Sequence, residues 1–505
     1  MNKLFPFAFF LLTGTAALAQ SQTSRLYHEP FRQQIHFSPK EHWMNDPNGM
    51  VYFNHTYHLF FQYYPGGTVW GPMHWGHAVS KDMIHWKQLP IALYPDSLGY
   101  IFSGSAVVDS NNTSGFGKNG KIPLVAIFTH HDPKGADAGK NNFQNQSLAY
   151  SLDDGYTWIK YSGNPVLKNP GISDFRDPKV SWYKPGKKWV MTLATKDRIT
   201  FYSSPDLKNW TKESEFGQTL GAHGGVWECP DLFPLKLNGK THWVLIVNLN
   251  PGGPNKGSAT QYFVGQFDGH TFTTTDTATK WLDYGPDEYA GVTWGNTGNR
   301  RIFLGWMSNW LYGAQVPTTT WRSAFTIPRE LKLFSYKGSI LVGSSPVAEL
   351  GLLKERSVSF TNLNLKKTHD FTGLTGKASG QYTIKLETAS GEDFKFTFAN
   401  TKNEMLIIGY DKKANQYYID RTQSGIVSFN KDFPAIATAP RLSAAGNIKL
   451  TLVMDLASVE LFADDGATVM TDIFFPNQAL DKISLSGEER LRIKSLSCSE
   501  LSSIW

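Results

Sequence analysis

Short runs in which hydrophobic and polar residues alternate recur along most of the chain, whereas the period of an amphipathic helix is scarce. Residues 51–61 and 241–247 are examples, and Gly, Asn, Asp or Pro bound such runs. A period of two is typical of β-strands that bury one face, and the bounding residues are typical of turns. The pattern therefore predicts an all-β protein.

The chain also contains a loosely repeated sequence pattern. A predicted strand leads into Ser, an acidic turn and then Trp at residues 80–86, 151–158 and 204–210, and a weaker copy runs from Asp268 to Phe272. The closing aromatic residues recur every ~50 to 70 residues, which leaves room for one four-stranded blade and its loops. The repeat predicts a β-propeller, with room for five blades in residues 30–335. The alternative is ordinary hairpin chemistry in an unrelated β-fold.

The texture of the chain changes after residue 335, where the Trp-rich repeat stops. Residues 336–355 have the character of a linker, and residues 356–505 return to clean alternation, as in 382–386 and 394–398. Half-buried antiparallel strands show this pattern. We therefore expect a five-bladed β-propeller followed by a C-terminal β-sandwich.

Composition narrows the possible partners and the source of stability. The 505 residues exceed what one ordinary hydrophobic core organises, so two folded units are expected. A net charge of +6 without a run of like charges gives no reason to expect a nucleic acid partner. The 14% aromatic content suits both sugar faces and β-cores. Only Cys229 and Cys498 are present, so packing rather than a disulfide framework must stabilise the fold.

The first 19 residues predict an export signal. Lys3 precedes an apolar stretch at residues 4–12, and the small residues Ala17 and Ala19 frame a cleavage site before Gln20. The apolar stretch is shorter than the ~20 residues that span a bilayer, so we expect cleavage rather than the alternative, a membrane anchor. The mature chain is expected in the periplasm or outside the cell.

Three acidic segments are candidates for chemistry. Asp46 begins two consecutive turn-forming pairs, Asp-Pro and Asn-Gly, and by themselves these predict a hairpin turn before a strand. Asp177 and Glu228 lie in short segments that Pro opens or closes, which predicts loops at the mouth of a channel. Taken singly, each is more typical of a solvated carboxylate than of a catalytic group.

Taken together, these segments resemble glycoside hydrolase family 32, the invertase, inulinase and levanase family. Motifs of that family occur in order over nearly the whole mature chain, at residues 43–49, 61–65, 75–82, 102–106, 176–178, 227–233, 305–310, 321–331 and 458–462. The resemblance implies a five-bladed propeller followed by a sandwich, a retaining reaction on fructosyl sugars, and neither metal nor cofactor. Residues 309–312 and 316–318 look most similar to bacterial exo-acting levanases and inulinases.

The resemblance also implies roles for the three carboxyl groups. Asp46 matches the nucleophile, which must be ionised, and we expect backbone N–H groups of its turn to bind it. Glu228 matches the acid/base, which must begin protonated, and we expect burial against Trp227 to favour that form. Asp177 matches the third carboxylate, which steadies the transition state without exchanging protons.

The same resemblance implies a fructosyl-binding pocket made of polar groups and aromatic faces. Trp310 is either a sugar-stacking wall or a packed propeller tryptophan. The residues expected to line the pocket are Asn45, Gln62, Trp70, Phe102, Ser103, Arg176 and Trp310.

Two further features have a functional and a structural interpretation. Cys229 is either a thiol that tunes Glu228 or a small buried residue, and we favour the second. His74 with His77, and the run His130 to Asp132, resemble metal ligands, but neighbours on a strand point to opposite faces and do not converge.

Several functions are compatible with these motifs. An exo-acting fructan hydrolase is favoured, whereas an invertase or a fructosyltransferase on sucrose would use the same carboxylates. A propeller that binds fructan without cleaving it is a more distant alternative. The motifs leave open the β-2,1 or β-2,6 linkage preference, the role of the sandwich and the oligomeric state.

Overall fold

The computed structural model describes residues 26–375, 380–487 and 491–505, so the predicted signal peptide lies outside the described residues. Strands dominate this part of the chain, where they form seven sheets. The described helices are α1 (Pro133–Asp137) and the 3-10 helices Ala348–Leu353, Thr372–Thr375 and Asp464–Gly466. Among the described residues no helix is both long and apolar enough to cross a membrane.

Five sheets follow one another along the chain and are the blades of the predicted propeller. Blade 1 has β1 (His42–Phe53), β2 (Thr56–Tyr64), β3 (His74–Ser80) and β4 (Trp86–Leu93), and blade 2 has β5 (Tyr100–Val108), β6 (Leu124–His131), β7 (Gln144–Ser151) and β8 (Ile159–Lys160). Blade 3 has β9 (Phe175–Tyr183), β10 (Lys188–Thr195), β11 (Ile199–Ser204) and β12 (Thr211–Phe216). Blade 4 has β13 (Val226–Leu237), β14 (Lys240–Asn250), β15 (Ala259–Phe267), β16 (Phe272–Thr273) and β17 (Lys280–Trp281).

Blade 5 closes the ring onto blade 1. It contains β18 (Tyr289–Thr293) and β19 (Ile302–Met307). The next strand along the chain, β20 (Trp321–Arg322), belongs to the sheet of blade 1, where it pairs in parallel with the start of β1. The remaining strands of blade 5 are β21 (Ala324–Phe325), β22 (Arg329–Tyr336) and β23 (Ser339–Pro346). Strand β23 pairs with β22 along its length, so the start of the segment that we expected to be a linker belongs to the blade-5 sheet.

The Ser-acidic-Trp repeat marks the turn into the outermost strand of blades 1, 2 and 3, and its weaker copy joins β15 to β16 in blade 4. In blade 2, Asp153 Oδ1 accepts hydrogen bonds from Ser151 Oγ (2.7 Å) and from the backbone N–H of Thr157 (2.9 Å). Asp82 and Asp206 make equivalent bonds in blades 1 and 3. An acidic side chain that binds nearby N–H groups favours a turn, which is why the repeat follows the blades.

The C-terminal unit is the predicted β-sandwich. Its strands are β24 (Lys354–Leu365), β25 (Thr368–Asp370), β26 (Tyr382–Thr388), β27 (Phe394–Ala399), β28 (Met405–Asp411), β29 (Gln416–Gln423), β30 (Ile436–Pro440), β31 (Lys449–Asp455), β32 (Ser458–Ala463), β33 (Thr468–Ile473), β34 (Lys482–Gly487) and β35 (Leu491–Leu501). Two six-stranded sheets form, in the orders β24-β35-β26-β31-β32-β33 and β25-β34-β27-β28-β29-β30. Their facing apolar side chains make one core that includes Ile384, Phe396, Ile408 and Leu452.

Charged side chains fill part of the contact between propeller and sandwich. Arg329 of blade 5 pairs with Asp283 of the propeller (2.8 Å) and with Glu460 of β32. His36, which precedes blade 1, hydrogen-bonds to Asp455 (2.7 Å) and to Glu460 (2.9 Å), and all five side chains are buried. Buried charges need partners, and here each unit supplies the partners of the other.

Candidate active site

The first strands of the five blades bring the candidate residues together. Strands β1, β5, β9, β13 and β18 contact the first strands of neighbouring blades, and each departs from regular pairing near its first residues. The pairing register shifts between Met44 and Pro47, Ile101 and Gly104, Arg176 and Lys179, Glu228 and Asp231, and Tyr289 and Val292. A β-bulge changes the direction in which a side chain points, and here the bulges carry the candidate residues.

This placement corrects the expected local structure of the acidic segments. Asp46, Asp177 and Glu228 lie within strands β1, β9 and β13, not in a hairpin turn or in loops. The Pro after Asp46 and the Pro after Asp177 mark bulges, because proline has no N–H to donate to a regular ladder. Asp177 itself has a φ of 64°.

Two side chains hold the carboxylate of half-buried Asp46. Asn45 Nδ2 donates to Oδ1 (2.9 Å) and Ser103 Oγ donates to Oδ2 (2.8 Å), so side chains supply bonds that we expected from a turn backbone. Asn45 is oriented in turn by Trp43 Nε1, which donates to its Oδ1 (2.8 Å). Burial and the charge of Glu228 raise the pKa of Asp46, while the bonds from Asn45 and Ser103 oppose that rise.

Glu228 is held at both carboxyl oxygens. Arg176 donates from Nε (3.1 Å) and Nη2 (3.0 Å) to Oε1, and Tyr289 Oη donates to Oε2. Trp227 is not the neighbour of this carboxyl group that we expected, because its ring packs on His223 and Phe263 between blades. Adjacent strand residues point to opposite faces, which separates the indole from the Glu228 carboxyl group.

Asp177 is the most enclosed of the three carboxyl groups. Its Oδ2 accepts the backbone N–H of Cys229 (3.0 Å) and lies 4.0 Å from Arg176 Nε. Burial, against the opposing charge of Arg176, raises the pKa of Asp177 to about 7, and the charges of Glu228 and Asp46 add to the rise. Asp177 and Glu228 thus share the guanidinium of Arg176.

Cys229 contacts two of these carboxyl groups. Its Sγ lies 3.6 Å from Asp46 Oδ2 and 3.6 Å from Asp177 Oδ2. Burial and the surrounding negative charges raise the pKa of the Cys229 thiol, which keeps it protonated and able to donate. Cys229 is therefore buried, as we favoured, and its thiol also contacts carboxyl groups. These groups belong to Asp46 and Asp177, not to Glu228.

The remaining residues that we expected in the pocket differ in their burial and contacts. Gln62 is buried, and its Nε2 donor has no partner among the described residues. Trp70 is 43% exposed and lies edge-on to half-buried Phe102 at 6.1 Å between ring centroids. Trp310 is half-buried against Trp43 (5.8 Å), so it is packed and still partly accessible.

Tyr289 is a residue of this site that sequence reasoning missed. It begins β18 in blade 5, directly after Pro286, Asp287 and Glu288. Burial and the charge of Glu228 raise the pKa of Tyr289, so the phenol keeps its proton and donates it in the bond to Glu228. The available signals were this run of proline and acidic residues and the position of Tyr289 at the start of a blade's first strand.

The histidines that resembled metal ligands have protein partners. His77 hydrogen-bonds to His58 (3.1 Å), and His74 to the carbonyl of Pro72 (2.9 Å). His130 hydrogen-bonds to Ser147 Oγ (2.7 Å), and the ring of His131 stacks on Phe102. In the described part of the chain, no three His, Cys, Asp or Glu side chains are grouped so that they could hold a metal ion.

Comparison with known proteins identifies the family. A family model described as the Glycosyl hydrolases family 32 N-terminal domain matches residues 36–344, and one described as Glycosyl hydrolases family 32 C terminal matches residues 349–500. The levanase of Bacillus subtilis (strain 168) is 47% identical over 98% of this chain and 74% of its own length. An extracellular exo-inulinase of Aspergillus awamori is 41% identical over 89% of this chain and 90% of its own.

Solved structures agree with the sequence matches. The exo-inulinase from Aspergillus awamori has a TM-score of 0.87 at 38% identity and covers 95% of this chain and 100% of its own. A β-fructofuranosidase from Schwanniomyces occidentalis, complexed with fructosyl-erythritol, has a TM-score of 0.84 at 32% identity and covers 95% of this chain and 99% of its own. The chain therefore belongs to the glycosyl hydrolases of family 32.

Proposed function

We propose that this protein is a retaining exo-β-fructosidase, which hydrolyses terminal fructosyl units of fructans such as levan or inulin and also cleaves sucrose. One observation carries the proposal: Asp46, Asp177 and Glu228 converge from three blades, where Cys229 contacts Asp46 and Asp177 and Arg176 contacts Asp177 and Glu228. The names of the similar proteins, levanase and exo-inulinase, support fructans as the substrate class.

In the first step Asp46 acts as the nucleophile. A carboxylate oxygen of Asp46 attacks the anomeric carbon of the terminal fructosyl unit, and the Glu228 carboxyl group transfers its proton to the leaving oxygen. The glycosidic bond breaks as the Asp46 ester forms, and the shortened fructan or glucose leaves. The bonds from Asn45 and Ser103 support this role, because they orient the Asp46 carboxylate.

In the second step water replaces the leaving group. The Glu228 carboxylate removes a proton from water, the resulting oxygen attacks the anomeric carbon, and the Asp46 ester breaks to release fructose. Two inversions at one carbon give net retention. Tyr289 and Arg176 hold both oxygens of Glu228, which supports one fixed position for the group in both steps.

Asp177 and Gln62 supply polar contacts for the sugar. Asp177 accepts hydrogen bonds from sugar hydroxyl groups, and its negative charge steadies the positive charge that develops on the fructosyl ring. The unused donor of buried Gln62 supports a sugar contact, because a buried N–H without a partner costs free energy that a hydroxyl acceptor would recover. Trp70, Phe102 and Trp310 supply the apolar walls.

Product analysis tests the proposal. The purified protein is incubated with levan, inulin and sucrose, and the released sugars are followed by chromatography while NMR records the anomer formed first. We expect fructose alone from the start on a polymer, with its anomeric configuration retained. Early oligosaccharides would instead indicate endo-cleavage, elongated products from sucrose would indicate transfer, and binding without consumption would indicate a non-catalytic propeller.

We further propose that the chain is exported and loses residues 1–19. The named extracellular exo-inulinase supports a location outside the cytoplasm. Expression in a bacterial host with Sec-dependent export, followed by N-terminal sequencing, should find mature protein that begins at Gln20. Intact protein that begins at Met1 in the membrane fraction would contradict cleavage.

A further inference from the structure

Arg421 belongs to the sandwich, but its guanidinium is buried against the propeller. The residue lies on β29 and is 1% exposed. Its Nη1 donates to Asp287 Oδ2, and its Nη2 donates to Tyr312 Oη (2.8 Å). Tyr312 Oη in turn donates to Asp287 Oδ1 (2.5 Å), so the three side chains close a triangle. Two corners of that triangle belong to the propeller and one to the sandwich.

The Asp287 corner leads to Glu228. The backbone N–H of Asp287 donates to the carbonyl of Thr471 (3.1 Å), and its Oδ2 accepts from the backbone N–H of Ile473 (2.9 Å). Strand β33 of the sandwich therefore holds Asp287 from a second side. Two residues later along the chain, Tyr289 donates to Glu228.

The Tyr312 corner leads to the aromatic wall. The backbone N–H groups of Tyr312 (3.2 Å) and Gly313 (2.7 Å) both donate to the carbonyl of Asn309, so residues 309–313 form a tight turn. Trp310 lies within this turn, and its ring packs on Trp43, which orients Asn45 beside Asp46. A shift of Tyr312 would thus move Trp310.

We propose that Arg421 is a positioning residue for the fructosidase reaction, through which the sandwich sets the geometry of the active site. One branch runs through Asp287 to Tyr289 and Glu228, and the other runs through Tyr312 to Trp310. The inference rests on the proposed function, because it uses the roles proposed there for Glu228 and Trp310.

Chemistry favours positioning over a purely stabilising role. A buried ion pair is weak evidence for stability, because apolar side chains of similar volume often stabilise as well. A guanidinium fork, however, fixes two acceptors in one plane at set distances, and catalytic groups need placement to within ~0.5 Å. Arg421 donates from Nη1 and Nη2 to Asp287 and Tyr312, the residues that lead to the site, and its bonds to the carbonyl groups of Phe433 (2.8 Å) and Ile473 (3.2 Å) fix the guanidinium within the sandwich.

Two variants separate the branches, with sucrose as the substrate. Tyr312→Phe removes the hydroxyl bonds to Arg421 and to Asp287 Oδ1 but leaves the Arg421–Asp287 pair and the backbone bonds of Asp287, so we expect KM to rise roughly fivefold while kcat stays within about twofold. Arg421→Lys keeps a cation near Asp287 but loses the fork, so we expect kcat to fall on the order of tenfold together with a higher KM.

Arg441→Lys is the matched control. Arg441 is also a buried sandwich arginine, but it pairs with Asp464 (2.9 Å) and its hydrogen bonds stay within the sandwich. The control should keep kcat and KM within about twofold, even if its Tm falls as much as that of Arg421→Lys. Unchanged kcat and KM in both test variants, or an equal loss in Arg441→Lys, would overturn the inference.

The outcome stays separate from that of the proposed function. If Arg421→Lys does not fold, Tyr312→Phe carries the kinetic test. If the wild-type protein consumes no fructosyl substrate, the proposed function fails, and crystal structures of wild type and Tyr312→Phe decide the positioning role. A displaced Trp310 ring in the variant would support it, and an unmoved Trp310 ring would overturn it.

Discussion

Asp46 and Glu228 have different surroundings, which suit different tasks. Neutral donors, Asn45 and Ser103, hold the Asp46 carboxylate, whereas a cation and a phenol hold Glu228. A nucleophile needs an oriented carboxylate at all times, while an acid/base must gain and lose a proton without moving. Arg176 and Tyr289 contact different oxygen atoms of Glu228, which restrains the carboxyl group from two sides.

Substitution of the two residues should therefore have different consequences. We expect Asp46→Asn to lower kcat by several orders of magnitude on every fructosyl substrate, because the ester cannot form. Glu228→Gln should lower kcat similarly on sucrose but much less on an aryl fructoside whose leaving group needs no proton. Circular dichroism and Tm should match wild type. Turnover near wild type in folded Asp46→Asn would rule out its proposed role.

Tyr289→Phe tests the contribution of the missed residue. The change removes one donor to Glu228 and keeps the ring, so we expect kcat on sucrose to fall roughly tenfold with little change in KM. Tyr262→Phe is a suitable control, because Tyr262 is a buried propeller tyrosine whose hydroxyl accepts from the backbone N–H of Val342, away from the site. Equal kcat values for the two variants would show that the Tyr289 hydroxyl has no role in catalysis.

At this scale the sequence could indicate the carboxyl groups but not all of their partners. Asp46, Asp177 and Glu228 lie in motifs that resemble a known family, so their placement could be anticipated. The contact of Tyr289 with Glu228 depends on how two neighbouring blades are oriented. The Arg176 contact crosses blades in the same way. A linear pattern carries no information about such distances.

Among the elements, the first strands of the blades determine the site. Local rules assign Asp-Pro, Asn-Gly and Cys-Pro pairs to turns, yet here these pairs lie inside strands. Pairing of each segment with the second strand of its blade outweighs the local preference for a turn. The bulge accommodates the proline, which has no N–H to donate to the ladder. The repeated turn, together with the room for five blades in residues 30–335, made the number of blades predictable, whereas the bulges were not.

The repeated turn makes its own prediction. Asp153→Ala removes the acceptor for Ser151 and Thr157, so we expect a loss of about 1 kcal/mol in the free energy of unfolding and a small fall in Tm. Activity at 25 °C should not change, because the turn lies at the outer edge of blade 2. Asp154→Asn is the control, since the Asp154 side chain makes no hydrogen bond to a described residue. Equal Tm values for the two variants would contradict this role of the repeat.

In the whole molecule, buried ion pairs join propeller and sandwich. Arg329 and His36 pair with Glu460, and Arg421 pairs with Asp287 across the same contact. The sequence showed Glu460 within a family motif at residues 458–462, but its partners lie more than a hundred residues away in the chain. Such pairs form only when both units are folded. The alternation of hydrophobic and polar residues therefore predicted each unit, but not the ion pairs between them.

The buried histidines predict how stability depends on pH. Burial opposes protonation of His36, but hydrogen bonds to Asp455 and Glu460 and their charges outweigh it and raise its pKa to about 9. An unfolded histidine titrates near 6.5, so the stabilisation from His36 is complete below pH ~6.5 and is lost as pH rises to about 9. Burial lowers the pKa of His58 and His130 to about 4, so both destabilise the fold as pH falls from ~6.5 to 4.

Thermal unfolding between pH 4 and pH 9 should therefore give a Tm maximum near pH 6.5. His36→Gln removes an imidazole that is charged at pH 6 in the wild type, so it should lower Tm by several degrees at that pH. It should also flatten the decline in Tm between pH 6.5 and 9. His85→Gln is the control, because His85 is a surface residue with a side chain 51% exposed, and its pair with Asp82 is screened by solvent. If His36→Gln and wild type show parallel Tm curves, the buried histidine does not link the two units through its charge. Convergence of the two curves toward pH 9 would show that this proton stabilises the contact between propeller and sandwich.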